Sequence, residues 1–106
     1  MQNEKIYSQR VERHVLGGLI KHQSIFPEIE KFVSEKDFYF EVHHTIFRVL
    51  KNNLLEGKEI DTVLIAEKIK ELGVSFKDEI NIFQYVDDLS FTQITENATI
   101  EAAKSL

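Results

Sequence analysis

Four histidines and eighteen acidic side chains are the material from which a metal site or a general acid–base pair would have to be built in this 106-residue chain, because cysteine is absent. His14 and His22 stand eight residues apart, about two helical turns, too far to ligate one ion directly. His43 and His44 are adjacent, so on a helix their side chains diverge by about 100° and cannot chelate together. No HExxH pattern occurs. The four histidines therefore read as one half-buried and three surface side chains, with no metal ligand and no catalytic residue among them. Asp87 and Asp88, like Asp78, Glu79 and Glu96, read as solvated faces, with a helix-dipole benefit for those near an N-terminus. Acid–base work by paired carboxylates would also need a pocket, which composition does not supply.

Phosphate chemistry is excluded more firmly. There is no GxxxxGK(S/T) loop, and Gly17-Gly18 lies inside a helical pattern with no preceding strand, so neither a P-loop nor a dinucleotide fingerprint is present. No cofactor is expected. The aromatic run Phe38, Tyr39, Phe40 could stack bases, but stacking platforms sit in basic grooves and only Lys36 is close in sequence. Net charge is −5 and unevenly spread: through His22 there are four basic and two acidic residues, whereas Asp78 to Glu101 holds six acidic and no basic ones. That half disfavours nonspecific binding to phosphates, so no strong direct contact with nucleic acid is expected. The N-terminal residues MQNEKIYSQRVERH are charged, and no stretch approaches the ~20 apolar residues of a membrane span, so a soluble protein without a membrane partner is expected.

The elements that must position these groups are helices. Val42, Ile46, Val49, Leu50 and Leu54 recur at i, i+4, i+7, i+8 and i+12, one wide apolar stripe broadened by Phe47. The stripe begins beside Phe38–Phe40 and stops at Gly57, and Asp61 offers an N-cap for the next helix, with Ile65, Ala66, Ile69 and Leu72 on its apolar face and Gly73 closing it. An earlier helix from about Ser8 to His22 carries Val11, Val15, Leu16, Leu19 and Ile20. Its Gly17-Gly18 pair costs about 0.5 to 1 kcal/mol per glycine, which points to close approach of another helix. Pro27 starts a short helix to about Val33, with Phe26, Ile29, Phe32 and Val33 as apolar contacts, and Ser34 caps a turn through Asp37. Asp78 to about Ser90 reads as helix, Phe91 to Ile94 breaks the pattern, and a last helix runs from Thr95 or Glu96 to the end with a thin, alanine-based core. The expected fold is all-α, a compact bundle of about six helices without a sheet, forming one domain over residues 1–106. The expected core is Val15, Leu19, Phe32, Phe38, Ile46, Phe47, Leu50, Ile65, Ile69 and Val86. Phe38, Tyr39 and Phe40 cannot all turn inward, so this run, with Phe91 and Ile94, supplies the candidates for a protein interface.

Three runs carry a family resemblance: VERHVLGGLI from Val11 to Ile20, EKDFYFEVHHTIF from Glu35 to Phe47, and EGKEIDTVLIAEKIKELG from Glu56 to Gly73. In this order and spacing they resemble the N-terminal domain of bacterial and phage replicative DNA helicases of the DnaB type, over most of the chain. Gly17 and Gly18 match the family's small residues in the first helix, Phe38, Tyr39, His43, Ile46 and Phe47 its central signature, and Asp61 its capping aspartate. Asn97 lies where the family has an asparagine before a helical hairpin, but Glu101 and Ala102 stand where it often has a tyrosine. The resemblance implies a non-catalytic helical head that joins a ring-shaped hexameric collar and contacts primase and the helicase loader in the cytoplasm. ATP and magnesium would belong to a separate motor domain. The chain is then expected to be excised from a longer helicase, with residues 95–106 starting the connection towards the hairpin. A stand-alone adaptor or loader-type protein, the related helicase-binding domain of primase, and a small helical enzyme are the alternatives.

Overall fold

Ser8 opens the first helix, α1 (Gln9–Lys21): its backbone is extended and its Oγ accepts the Val11 amide at 3.1 Å, satisfying one of the orphan donors of the first turn. The computed structural model describes residues 8–77 and 79–106. A 3₁₀ turn, Gln23–Ile25, leads into α2 (Phe26–Glu30), with Pro27 in its first turn where a missing N–H costs nothing. A second 3₁₀ turn, Glu35–Asp37, is fixed by reciprocal capping between Ser34 and Asp37. Then come α3 (Glu41–Leu55), α4 (Thr62–Glu71), α5 (Ile82–Leu89) and α6 (Glu96–Lys104), and no strand occurs among the described residues. Gly57 and Gly73 close α3 and α4 at φ of 75° and 69°, left-handed values that a side chain would resist. Asp61 Oδ1 accepts the Val63 and Leu64 amides, as an N-cap must.

Helix α1 is the hub, packing against α3, α5 and α6, while α4 bridges α3 and α5. The buried apolar side chains form one cluster that includes Val15, Leu19, Phe38, Ile46, Phe47, Leu50, Ile65, Ile69 and Val86. Phe32 is the exception to the expected core. It is 43% exposed and lies under the Lys104 ammonium, 5.3 Å from its ring centroid. The reason is that α2 ends at Glu30, and the amides of both Phe32 and Val33 then bond to the Ile29 carbonyl. Val33 thus takes the inward place four residues after Ile29 and Phe32 swings outward. Helix α5 is also shorter than the sequence pattern suggests. It starts at Ile82 because Asn81 Oδ1 caps it through the Gln84 amide; the proposed start at Asp78 lies outside the described residues.

The two α1 glycines are where other elements come nearest. A Cβ on Gly17 would stand 2.7 Å from the Leu89 carbonyl oxygen and closer still to the Thr92 hydroxyl, and one on Gly18 would stand 2.5 Å from Thr99 Cγ2. Gly17 admits the turn after α5, and Gly18 admits α6. Replacing either by alanine in an open helix would stabilise by about 0.5–1 kcal/mol, so the sign of the effect is diagnostic. Urea denaturation of Gly17→Ala and Gly18→Ala should each show a loss of about 1–3 kcal/mol from overpacking, and a gain would contradict this packing. Phe47→Ala, which empties a site of 0% exposure, should cost about 3–5 kcal/mol in the same assay.

Candidate functional site

The polar cluster of greatest chemical interest joins α1, α3 and α5. Glu12 falls on the apolar stripe of α1, three, four and seven residues before Val15, Leu16 and Leu19, and is only 1% exposed. His43 occupies the corresponding inward stripe of α3 with Ile46 and Leu50, and is 0% exposed. Tyr85 projects from α5 beside buried Val86 and is half-buried. Glu12 Oε1 is 2.8 Å from His43 Nδ1, and His43 Nε2 is 2.6 Å from the Tyr85 hydroxyl. Glu12 also accepts two backbone amides at the start of α3, Tyr39 at 2.8 Å on Oε2 and Phe40 at 3.4 Å on Oε1. Phe40 is the N-cap residue of α3 but gives it no side-chain cap. The carboxylate from α1 therefore sits where a local cap is missing, at the positive end of the α3 dipole.

Electrostatics fix the protons. Burial pushes the His43 pKa below the ordinary histidine value, against the opposing pull of the Glu12 carboxylate, so the ring is neutral. Burial likewise pushes the Tyr85 phenol up, with Arg13 working the other way, so it keeps its proton. Tyr85 O–H then donates to Nε2, and Nδ1–H donates to Glu12. Three donors surround an otherwise buried carboxylate, which would be prohibitively costly without them.

The order hydroxyl, imidazole, carboxylate has the outline of a nucleophile, its base and the group that orients the base. Its setting does not suit that chemistry. The phenol is harder to ionise than in water, the imidazole and carboxylate are sealed, and none of the three lines any of the five most prominent grooves. What the cluster does is hold three helices and the 38–40 turn together. Nor is there, among the described residues, any group of three or more histidines and carboxylates able to hold a metal ion.

The histidine expectation needs correction: His43 is fully buried, and His14, His22 and His44 are each partly buried. His43 goes in because both ring nitrogens find partners. His22 lies on the Ile94 carbonyl at 2.9 Å, and His44 lies 3.7 Å from Glu35. Glu12 was not singled out at all, although a lone acid on an apolar helical stripe is the signal that finds it. Of the aromatic run, Phe38 is turned inward against Phe47, with ring centroids 4.9 Å apart, which removes it from any accessible interface. Tyr39 is 58% exposed, and Phe40 is partly buried. Phe91 is the most exposed large apolar residue among those described, at 70%, while Ile94 is half-covered.

A family model described as the DnaB-like helicase N terminal domain matches residues 4–105. The replicative DNA helicase DnaB of Pasteurella multocida (strain Pm70) is 32% identical over 84 residues, 79% of this chain and 18% of that protein. The DnaB of Buchnera aphidicola subsp. Baizongia pistaciae (strain Bp) is 32% identical over 83 residues, 78% of this chain and 18% of that protein. The crystal structure of the N-terminal domain of DnaB helicase from Mycobacterium tuberculosis shares the fold, with a TM-score of 0.81 at 20% identity over 96% of this chain and 69% of that one. The family match covers nearly the whole chain, and this chain belongs to the family of DnaB-like helicase N-terminal domains. It spans 18% of the length of the curated relatives it matches.

Because His43 binds a proton less readily when folded than when unfolded, the unfolded chain takes up the extra proton as pH falls below about 6.5, and stability falls with it. The contribution is complete above that pH. Urea midpoints should drop between about pH 7.5 and 5.5 for the wild type and drop less for His43→Gln; equal slopes would remove His43 as the cause. Tyr85→Phe, which leaves buried Nε2 without a donor, should cost about 1–3 kcal/mol at neutral pH.

Proposed function

We propose that this chain is the non-catalytic head of a replicative DNA helicase, supporting assembly of a hexameric collar and contacting primase, the helicase loader, or both during DNA replication. The observation that carries the reading is the family match over residues 4–105 on a fold that is all-helical among the described residues and whose Glu12–His43 pair is buried inside. A sealed cluster stabilises a scaffold, and a scaffold acts through its surface. That surface exposes Tyr39, Val63, Leu64, Phe83 and Phe91, large apolar side chains of the kind that anchor protein contacts. ATP and magnesium serve a motor domain and not this head, which has no phosphate loop. The head acts in the cytoplasm; among the described residues no helix is long and apolar enough to cross a membrane. DNA is handled elsewhere in the helicase, since the acidic stretch from Asp78 to Glu101 opposes counterion release.

A stand-alone adaptor built on the same head is the second reading. A P-loop motor sequence downstream in the same reading frame decides between them. In solution, this chain should sediment as a monomer or weak dimer at micromolar concentration, because a head of this size offers little area for ring closure. It should hydrolyse no ATP and should shift on addition of the cognate helicase-binding domain of primase or of the loader. A stable hexamer of this chain alone, or tight salt-sensitive DNA binding, would overturn the assignment.

A further inference from the structure

The outer face of α1 is cationic in a protein whose net charge is −5. Arg10 and Arg13 are exposed, and neither makes an ion pair among the described residues; Arg13 only faces the Tyr85 ring, at 5.7 Å. Opposite them runs the segment after α5, and the two walls enclose a groove of about 620 Å³ that includes Gln9, His14, Phe91 and Gln93. A second groove, of about 580 Å³, shares His14 and Gln93 and extends to Lys21.

The far wall is held in place. Lys21 Nζ donates to the Thr92 carbonyl at 2.8 Å, His22 Nε2 lies 2.9 Å from the Ile94 carbonyl, and the Phe91 and Thr92 amides close the turn on the Asp88 and Leu89 carbonyls at 3.1 Å. Gly17 lets this turn come down onto α1. Phe91 therefore stands 70% exposed on a fixed segment, an apolar side chain held in place along the groove beside the two arginines.

We propose that this groove binds a short acidic peptide segment of a partner protein, its carboxylates on Arg10 and Arg13 and a large apolar side chain on Phe91. Guanidinium groups one helical turn apart suit two carboxylates of an extended peptide, each able to be held by paired hydrogen bonds. The Gln93 amide offers a donor and an acceptor for its backbone, while the Gln9 amide already bonds the Tyr85 hydroxyl. Single-stranded nucleic acid suits the groove less well. Successive bases need successive aromatic platforms, and the groove offers only Phe91 and the partly buried His14 imidazole. A long polyanion would also run from the arginines onto Asp88, which lines the groove, and towards Asp87 and Glu96. A short peptide meets less of that repulsion. The proposal stands on the geometry of this groove and does not depend on the helicase reading.

Fluorescence anisotropy tests it with a labelled peptide carrying paired aspartates on both sides of a central phenylalanine, the same peptide with asparagines, and a short oligothymidylate. The aspartate peptide should bind, the asparagine peptide should bind at least about tenfold more weakly, and affinity should fall as salt rises. Arg10→Gln with Arg13→Gln, and separately Phe91→Ala, should each weaken binding about tenfold or more while circular dichroism melts stay near wild type. Amide shifts on peptide addition should cluster in residues 9–14 and 88–95. No binding at about millimolar peptide, unchanged affinity in the arginine variant, shifts centred elsewhere, or tighter binding of the oligothymidylate would each overturn the proposal.

Discussion

A carboxylate cannot be buried alone, and the packing of this domain follows from the way Glu12 avoids that condition. Its donors all lie at the start of α3, far from it in sequence: the Tyr39 and Phe40 amides and the His43 ring, which is in turn held by Tyr85 from α5. Taking away any one donor would leave charge in a medium that solvates it poorly. The three helices that meet here, α1, α3 and α5, therefore have one register in which the acid is satisfied. Apolar contacts among Val15, Leu19, Ile46, Phe47 and Val86 supply most of the favourable burial, but such contacts tolerate small shifts. The hydrogen-bonded chain is more demanding, because its bonds hold only over a narrow range of distance and angle.

The glycine pair performs the complementary task on the next stretch of α1. Glu12 fixes α1 to what precedes and includes α3, while Gly17 and Gly18 let the chain after α5 and helix α6 close over the other side. Two threonines complete this contact, and neither leaves its hydroxyl stranded: Thr92 Oγ1 donates to the Leu89 carbonyl at 2.7 Å and Thr99 Oγ1 to the Thr95 carbonyl at 2.7 Å. Thr99 is 0% exposed, so that internal bond is required. The thin core of α6, buried chiefly through Thr99 and Ala103, is adequate because α1 offers it backbone to pack on, with no side chain between.

These details differ in how far they can be read from residues alone. Helix limits at Ser8, Gly57, Asp61, Gly73 and Thr95 are local chemistry, a cap or a left-handed residue, and local chemistry is written in sequence order. The glycine pair was legible as a demand for close approach, though not for which helix would answer it. Phe32 points outward and not into the expected core because α2 ends at Glu30, and a helix of five residues leaves its flanking residues to the turn that follows. The Glu12–His43–Tyr85 chain stayed hidden because its members are 31 and 42 residues apart in successive links, and no periodicity relates them. Only the misfit of an acid on an apolar stripe marks it in advance.

Helix α1 thus has two faces with opposite electrostatic roles. Inward, Glu12 places a negative charge that must be neutralised by donors; outward, Arg10 and Arg13 place positive charges that no carboxylate pairs with among the described residues. The two faces are not independent, since Arg13 lies over the ring of Tyr85, whose hydroxyl is the last donor in the buried chain. An anion drawn to Arg13 would partly offset the positive potential that the phenol and the imidazole feel, while the Glu12 carboxylate stays sealed from it. Tyr85 is thus the link where the outer face of α1 meets the interior of the domain, with Arg13 5.7 Å from its ring centroid and His43 Nε2 2.6 Å from its hydroxyl.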